Sequence, residues 1–133
     1  MRRALAAAAM AAALLAGCGD EGPSTQEQVR TTLDEFARAM TAKDYQSLCD
    51  KVLAPKLAEK LQQVGLPCEI AMQRAFQDVE NPRLTIGKIT VAKDEKSATA
   101  EVRTSASGQA PSQDTVALVP VQDGWRVSSL GDG

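Results

Sequence analysis

The chain has 133 residues, 15 of them basic and 17 acidic, and it contains no histidine. This length suits one ordinary domain, and the net charge of −2 argues against a basic patch for nucleic acid or for an anionic membrane surface. Without histidine, a zinc site and a nucleophilic cysteine both lack their usual partner. We therefore expect no metal and no cofactor. The negative net charge leads us to expect no nucleic-acid partner.

The N-terminus has the order of a secretory signal peptide. Arg2-Arg3 precede a run of small apolar residues from Ala4 to Ala16, which is well short of the roughly 20 residues that cross a bilayer. Leu15-Ala16-Gly17-Cys18 resembles the lipobox of bacterial lipoproteins, in which the cysteine thiol is lipidated and becomes the first mature residue. The alternative is an ordinary cleaved signal peptide in which Cys18 is incidental.

This N-terminus predicts three segments. They are a lipoprotein signal peptide over residues 1–17, the lipidated cysteine with its tether over 18–25, and one domain over 26–133. Cleavage removes two of the 15 basic residues, which leaves 13 against 17 acidic residues and a net charge of −4. The lipid on Cys18 is then the expected membrane contact. The resemblance to bacterial lipoproteins implies a diacylglyceryl group, and its two acyl chains anchor a protein stably. We expect an exported protein on the outer face of the cytoplasmic membrane.

Two further cysteines, Cys49 and Cys68, remain in the mature chain. An even pair in an exported domain predicts a disulfide, because that compartment is oxidising. The bridge would close a loop of about 20 residues and stabilise the fold by roughly 3 kcal/mol. The alternative is two free, buried thiols.

The domain begins with a predicted amphipathic helix. Ser24 and Glu27 have the spacing of a capping box, in which each side chain accepts a hydrogen bond from the other residue's backbone N–H. Apolar residues behind it recur at helical spacing on one face about four turns long. That face consists of Val29, Leu33, Phe36, Ala37 and Met40.

Shorter helices follow, separated by proline and glycine. Tyr45, Leu48 and Cys49 predict a short second helix, and Pro55 fits the first turn of a third. Gly65 ends that helix, and Pro67 precedes another one that Cys68 opens. Asn81-Pro82 then stops helix formation.

From Arg83 onward the apolar period changes to two, which predicts strands. In the first strand, the alternation of apolar residues shifts by one position around Gly87, which is typical of a β-bulge. The charged segment 93–96 is a predicted turn. The apolar faces of the first two strands are Leu84, Ile86, Ile89 and Val91, and Ala98, Ala100, Val102 and Thr104.

Two more strands complete the predicted sheet. The segment Gly108–Gln113 is a predicted loop, and Thr115–Val121 a third strand. Asp123-Gly124 is a strong signal for a two-residue hairpin turn, and Trp125–Leu130 is the fourth strand. Helices first and an antiparallel meander second define an α+β fold.

Several segments in this order resemble the nuclear transport factor 2-like (cystatin-like cone) superfamily, and more narrowly small actinobacterial lipoproteins of that type. The segments are the lipobox at Cys18, Ala42-Lys43-Asp44-Tyr45 before Leu48-Cys49, Cys68 at a helix start, and Leu118–Val127 with its Asp123-Gly124-Trp125-Arg126-Val127 ending. The resemblance covers roughly residues 26–130. It implies N-terminal helices packed on a curved antiparallel sheet of about four strands.

Enzymes of this superfamily, such as ketosteroid isomerase-like and scytalone dehydratase-like proteins, use an Asp, Tyr or His that faces an apolar pocket. The apolar faces of the second and fourth predicted strands contain no carboxylate and no histidine. We therefore expect no catalytic residue and a non-enzymatic binding domain. The alternative is an isomerase- or dehydratase-like enzyme acting in the cone.

Some inward-facing residues are candidates for either a pocket or the core. Ala98 and Ala100 either leave an apolar hollow or let a helix approach the sheet closely. The full set of candidates is Phe36, Tyr45, Ala98, Ala100 and Trp125, and the residues expected to form much of the core are Leu33, Phe36, Val102, Leu118 and Trp125.

These features predict a domain that binds a partner protein or a small apolar ligand through the mouth of the cone or the open face of the sheet. Glu101 and Arg103 share the face opposite the helices. They are either solvated or contact residues of a homodimer formed through the sheet.

Overall fold

The computed structural model describes residues 22–131, so the predicted signal peptide, Cys18 and most of the tether lie outside the described residues. Helices precede a four-stranded antiparallel sheet of order β1-β2-β3-β4, which confirms the α+β prediction. The elements are α1 (Thr25–Ala42), α2 (Tyr45–Ser47), a π-helix (Leu48–Val52), α3 (Pro55–Gln63), α4 (Cys68–Phe76), β1 (Arg83–Val91), β2 (Ala98–Ala106), β3 (Gln109–Val121) and β4 (Gly124–Ser129). Within residues 22–131, no helix has the length and hydropathy of a membrane span.

The capping box at the start of α1 is confirmed. Ser24 Oγ accepts a hydrogen bond from the Glu27 N–H at 3.2 Å, and Glu27 Oε2 accepts one from the Ser24 N–H at 2.9 Å. Farther along α1, Thr32 Oγ1 donates to the Trp125 carbonyl at 2.8 Å. Because Thr32 is buried, this hydrogen bond fixes the helix on β4 in a water-poor contact.

The buried face of α1 differs from the predicted stripe at its C-terminal end. Ala39 is buried there, while Ala37 and Met40 are only half-buried. Both half-buried residues line an open cleft between the helices and the sheet. The helical period located the apolar side of α1 correctly, but it carried no information on where the core ends and the cleft begins.

Asp44 caps the short α2. Its Oδ2 accepts from the Ser47 hydroxyl at 2.7 Å and its Oδ1 from the Ser47 N–H at 3.1 Å. These two hydrogen bonds lower the pKa of the Asp44 carboxyl from its ordinary value. The pKa of Asp44 is therefore lower in the folded chain than in the unfolded chain. The cap stabilises the fold at pH values above the ordinary aspartate pKa, and this stabilisation is lost as the pH falls through the folded pKa.

The predicted second helix continues as a π-helix rather than ending. The Leu53 N–H donates to the Leu48 carbonyl, five residues back, at 2.8 Å. The chain then pairs with the sheet, because the Ala54 N–H donates to the Val127 carbonyl at 2.7 Å. Pro55 follows at the start of α3, where its missing N–H costs no helical hydrogen bond.

The predicted disulfide is present between Cys49 and Cys68. It joins the π-helix to the first residue of α4, and the loop it closes contains all of α3. Both cysteines are half-buried and pack against the core.

The bulge predicted in the first strand is confirmed, since the β1–β2 register shifts between Ile86 and Ile89. Gly87 lies within this shift, and a Cβ placed on it would be 3.2 Å from the Glu101 carbonyl oxygen. A side chain at this position would therefore force the neighbouring strand to move. The glycine lets β1 and β2 stay close while β1 changes parity.

The predicted loop over Gly108–Gln113 is wrong, because β3 begins at Gln109 and runs for 13 residues. Only the turn at 107–108 separates β2 from β3. Residues 109–116 of β3 have no partner in β4, so polar residues are tolerated there. Pro111 lies at a register shift between Thr104 and Ala106, a place where a strand accepts proline.

One core lies between the helices and the sheet. Leu33 and Leu118 have no solvent exposure, and Phe36, Val102 and Trp125 are also buried. Ala98 and Ala100 belong to the same buried cluster, so neither lines an open space. The open space lies farther along β2, toward its C-terminal end.

Candidate ligand-binding cleft

A cleft of about 280 Å³ opens at the end of the cone where β2 and β3 extend beyond β4. Its apolar wall comes from Phe36 and Met40 of α1, Phe76 of α4, and Val102 and Val116 of the sheet. The volume lies just below the range of about 300–1,000 Å³ that is typical of small-molecule sites. The cleft therefore suits only a small ligand.

The inward-facing rows of β2 and β3 change from apolar to polar toward this opening. Ala98 pairs with Leu118 and Ala100 with Val116, deep in the core. The next pair is Val102 with Asp114, and the following one is Thr104 with Ser112. Because the row has a period of two, these side chains share one face and form a polar wall inside the cleft.

Hydrogen bonds join this polar wall, which consists of Thr104, Ser112 and Asp114. The Thr104 and Ser112 hydroxyl oxygens are 2.7 Å apart, and Ser112 Oγ donates to Asp114 Oδ2 at 3.1 Å. Thr104 and Asp114 are half-buried, and Ser112 is exposed at the mouth. Gly131 covers one flank, since a Cβ there would lie 3.4 Å from the Asp114 Cβ.

One cation also borders the cleft. Arg83, at the outer end of β1, is exposed and lines the rim. The ion pairs found among residues 22–131 are Arg38–Glu35 and Arg126–Asp123, both at the surface. In this part of the chain, the Asp114 carboxylate and the Arg83 guanidinium therefore form no ion pair with each other or with another residue.

The structure distributes the predicted pocket-or-core residues between two environments. Phe36 is buried and contributes to the cleft wall. Tyr45 is half-buried against the core, whereas Ala98, Ala100 and Trp125 are buried, and these four do not line the cleft.

The other predicted site residues lie elsewhere. Cys49 and Cys68 form the disulfide away from the cleft lining. Glu101 and Arg103 are exposed on the outer face of β2, opposite the helices. Within the described residues, no three metal-ligating side chains come together.

Sequence reasoning missed Asp114 and Ser112. The sequence pattern predicts a loop over the segment that contains Ser112 and a third strand that begins at Thr115, so the predicted alternation reaches neither residue. The signal was nevertheless present. Counting in twos from the buried Leu118 and Val116 reaches Asp114 and Ser112 on the same inward face.

No protein-family model matches the chain, and no curated protein matches its sequence. Solved structures that are similar in fold include the following two. One is the Kfla4162 protein from Kribbella flavida, at 18% identity and a TM-score of 0.55, covering 79% of this chain and 86% of that one. The other is a predicted dehydratase of the NTF2-like family from Streptomyces avermitilis, at 15% identity and a TM-score of 0.50, covering 77% of this chain and 89% of that one.

The fold is therefore nuclear transport factor 2-like, as the order of sequence motifs predicted. At these identities the similarity establishes the fold alone. Because this fold supports many unrelated activities, function has to be argued from the residues of the cleft.

Proposed function

We propose that this protein is a lipid-anchored, extracytoplasmic binding domain that holds a small, largely apolar ligand in its cleft without chemical conversion. The observation that carries the proposal is the cleft itself: about 280 Å³, with apolar walls, the polar wall of Thr104, Ser112 and Asp114, and a rim that includes Arg83, Ser105 and Gln109. Apolar surface with a few convergent polar groups is the usual composition of a small-molecule site.

Support for export comes from two independent features. The N-terminus has a basic start, a short apolar run and Cys18 after Ala16-Gly17. The Cys49–Cys68 disulfide suits an oxidising compartment outside the cytoplasm. Together they favour anchoring through a lipid on Cys18.

Replacing Cys18 by alanine is expected to release the protein from the membrane, because the thiol that would carry the lipid is removed. The measurement is fractionation of cells that express the wild type or Cys18→Ala, with the mass of the mature N-terminus determined in parallel. The Cys49→Ser/Cys68→Ser double variant is the control, since it removes cysteines without touching the predicted lipid site and leaves no unpaired partner of the disulfide. A wild-type chain whose Cys18 carries no lipid would contradict this part of the proposal.

Narrowing the mouth of the cleft is expected to abolish ligand binding. Ala110 is exposed and lines the cleft, so Ala110→Trp places a large ring in its opening. With the uncharged reporter N-phenyl-1-naphthylamine, we expect fluorescence enhancement with the wild type and at least about tenfold weaker binding to this variant, a loss of roughly 1.4 kcal/mol.

Gln113→Trp is the control for this experiment. Gln113 is exposed on the same strand but points to the opposite face, so the variant adds the same ring outside the cleft. Its affinity for the reporter should equal that of the wild type. Equal binding by all three proteins would place the reporter outside the cleft and contradict the proposal.

A second candidate function is isomerase- or dehydratase-like catalysis. One observation favours it: the Asp114 carboxylate faces an apolar cleft, where such a group can act as a general base. Turnover of a cleft-bound compound by the wild type, lost in Asp114→Asn while binding persists, would support this candidate over simple binding.

The outer face of the sheet is a further candidate surface for a homodimer or a protein partner. Glu101 and Arg103 are exposed there and have opposite charges, as a self-complementary contact would use. Equilibrium sedimentation of the wild type at high concentration tests this surface. A monomer throughout the concentration range would count against the homodimer.

A further inference from the structure

The hydrogen bonds of the polar wall have a fixed direction. Ser112 has one hydroxyl proton, and the Asp114 carboxylate only accepts hydrogen bonds. The 3.1 Å contact between them therefore uses the Ser112 proton. The 2.7 Å contact between Thr104 and Ser112 must then use the Thr104 proton, so donation runs from Thr104 to Ser112 to Asp114.

This direction leaves the polar wall without a free donor. Both hydroxyl protons are used between its own members, so only lone pairs and the negative charge of Asp114 remain for a ligand. Among residues 22–131, Ser112 is the only donor to that carboxylate, and Asp114 Oδ1 accepts no hydrogen bond. A partly buried acceptor that accepts no hydrogen bond carries a desolvation cost, and a ligand that donates a hydrogen bond to it removes that cost.

The position of Asp114 favours a charged donor over a neutral one. It pairs with Val102 and lies one step deeper than the two hydroxyls, on the part of β3 that has no partner in β4. Charge-assisted hydrogen bonds are roughly twice as strong as neutral ones, and partial burial strengthens the attraction. The excess of 17 acidic over 15 basic residues adds a weak long-range preference for cations.

Arg83 opposes this preference only weakly. It is exposed on the rim and belongs to the outer end of β1, two strands from Asp114. Water and salt screen an exposed charge much more than a buried one. The nearest charge to a head group on the polar wall is therefore the Asp114 carboxylate.

We propose that the cleft selects a small amphipathic cation: an apolar body carrying an amine. The body packs on Phe36, Met40 and Phe76, and the ammonium group donates to Asp114 Oδ1 and the Thr104 oxygen. This inference rests on the proposed binding function and adds the chemical class of the ligand.

The test compares three compounds that share one body and differ only in the head group. They are 1-naphthylmethylamine, 1-naphthalenemethanol and 1-naphthoate, measured by competition against N-phenyl-1-naphthylamine. We expect the amine to bind about tenfold more tightly than the alcohol, and the carboxylate to bind most weakly. Asp114→Asn keeps the shape and removes the charge, so it should reduce the affinity for the amine about tenfold and leave the alcohol within about twofold.

Asp94→Asn is the matched control, because it makes the same charge change at an exposed turn outside the cleft lining. It should leave the preference for the amine intact. A measurement that needs no variant uses salt: the affinity of the wild type for the amine should fall as ionic strength rises, while the affinity for the alcohol stays constant.

The possible failures are distinguishable. If the wild type binds the reporter but ranks the three compounds equally, or if Asp114→Asn keeps the amine preference, the cationic specificity is wrong and the binding function stands. If neither the reporter nor any of the three compounds binds, the binding function fails and the cationic specificity fails with it.

Discussion

Leu118→Ala is expected to lower the free energy of unfolding by about 3–5 kcal/mol, the range for a buried leucine whose site cannot collapse. Leu118 has no solvent exposure and lies in the middle of the sheet, between Ala98 on β2 and Val127 on β4. Strands on both sides hold the backbone in place, and the small Ala98 side chain cannot fill the space. The cavity should therefore persist.

Urea denaturation of the oxidised protein measures this loss as a change in midpoint at constant slope. Leu130→Ala is the control, because it deletes the same atoms from a side chain that is 37% exposed at the edge of the cleft. Its effect should stay below about 1 kcal/mol, as for other exposed positions. A Leu118→Ala variant as stable as Leu130→Ala would show that the sheet repacks around the missing side chain.

Breaking the Cys49–Cys68 disulfide is expected to cost roughly 3 kcal/mol, because the bridge joins residues separated by 19 positions and restricts the unfolded chain. The structure adds a local reason. The enclosed helix α3 has no fully buried residue, so packing alone holds it weakly. Reduction should therefore loosen α3 first, and its amides should exchange hydrogen faster while those of the sheet stay protected.

Thermal unfolding with and without reductant tests the stability effect, and hydrogen exchange tests where the protein opens. The Cys49→Ser/Cys68→Ser double variant should melt at the temperature of the reduced wild type and should not respond to reductant. This control separates loss of the bridge from other effects of the reductant. An unchanged melting temperature on reduction would show that the bridge contributes nothing to stability.

Local patterns predicted the α+β order and most helix boundaries because their causes are local. The Ser24–Glu27 capping box, the start of α3 at Pro55 and the bulge at Gly87 each depend on residues that are neighbours in the chain or in one strand pair. The last helix, by contrast, ends at Phe76, before the predicted stop at Asn81-Pro82. The disulfide was predictable for a different reason: with Cys18 assigned to the predicted lipid site, two of the three cysteines remain, and they allow a single pairing.

The extent of β3 was not predictable from composition. A segment with Pro111 and several polar residues has the character of a loop, yet it pairs with β2 because the turn at 107–108 brings it alongside. Tertiary pairing overrides a weak local preference in strands more readily than in helices. Because the predicted third strand begins only at Thr115, the inward position of Asp114 is not predicted. The proposed ligand specificity depends on this carboxylate.

The sequence by itself determined the succession of helices and strands, the capping box of α1, the cysteine pairing and the inward faces of β1, β2 and β4, since these follow from residue spacing and backbone chemistry. The tertiary structure decided that Ala98 and Ala100 lie in a closed core and that the open space lies beside Thr104, Ser112 and Asp114. Which inward-facing residues meet a helix and which meet solvent depends on where α1 and α4 end relative to the strands. This relative position involves elements that are far apart in the chain. The side-chain periodicity within one helix or strand therefore cannot predict it.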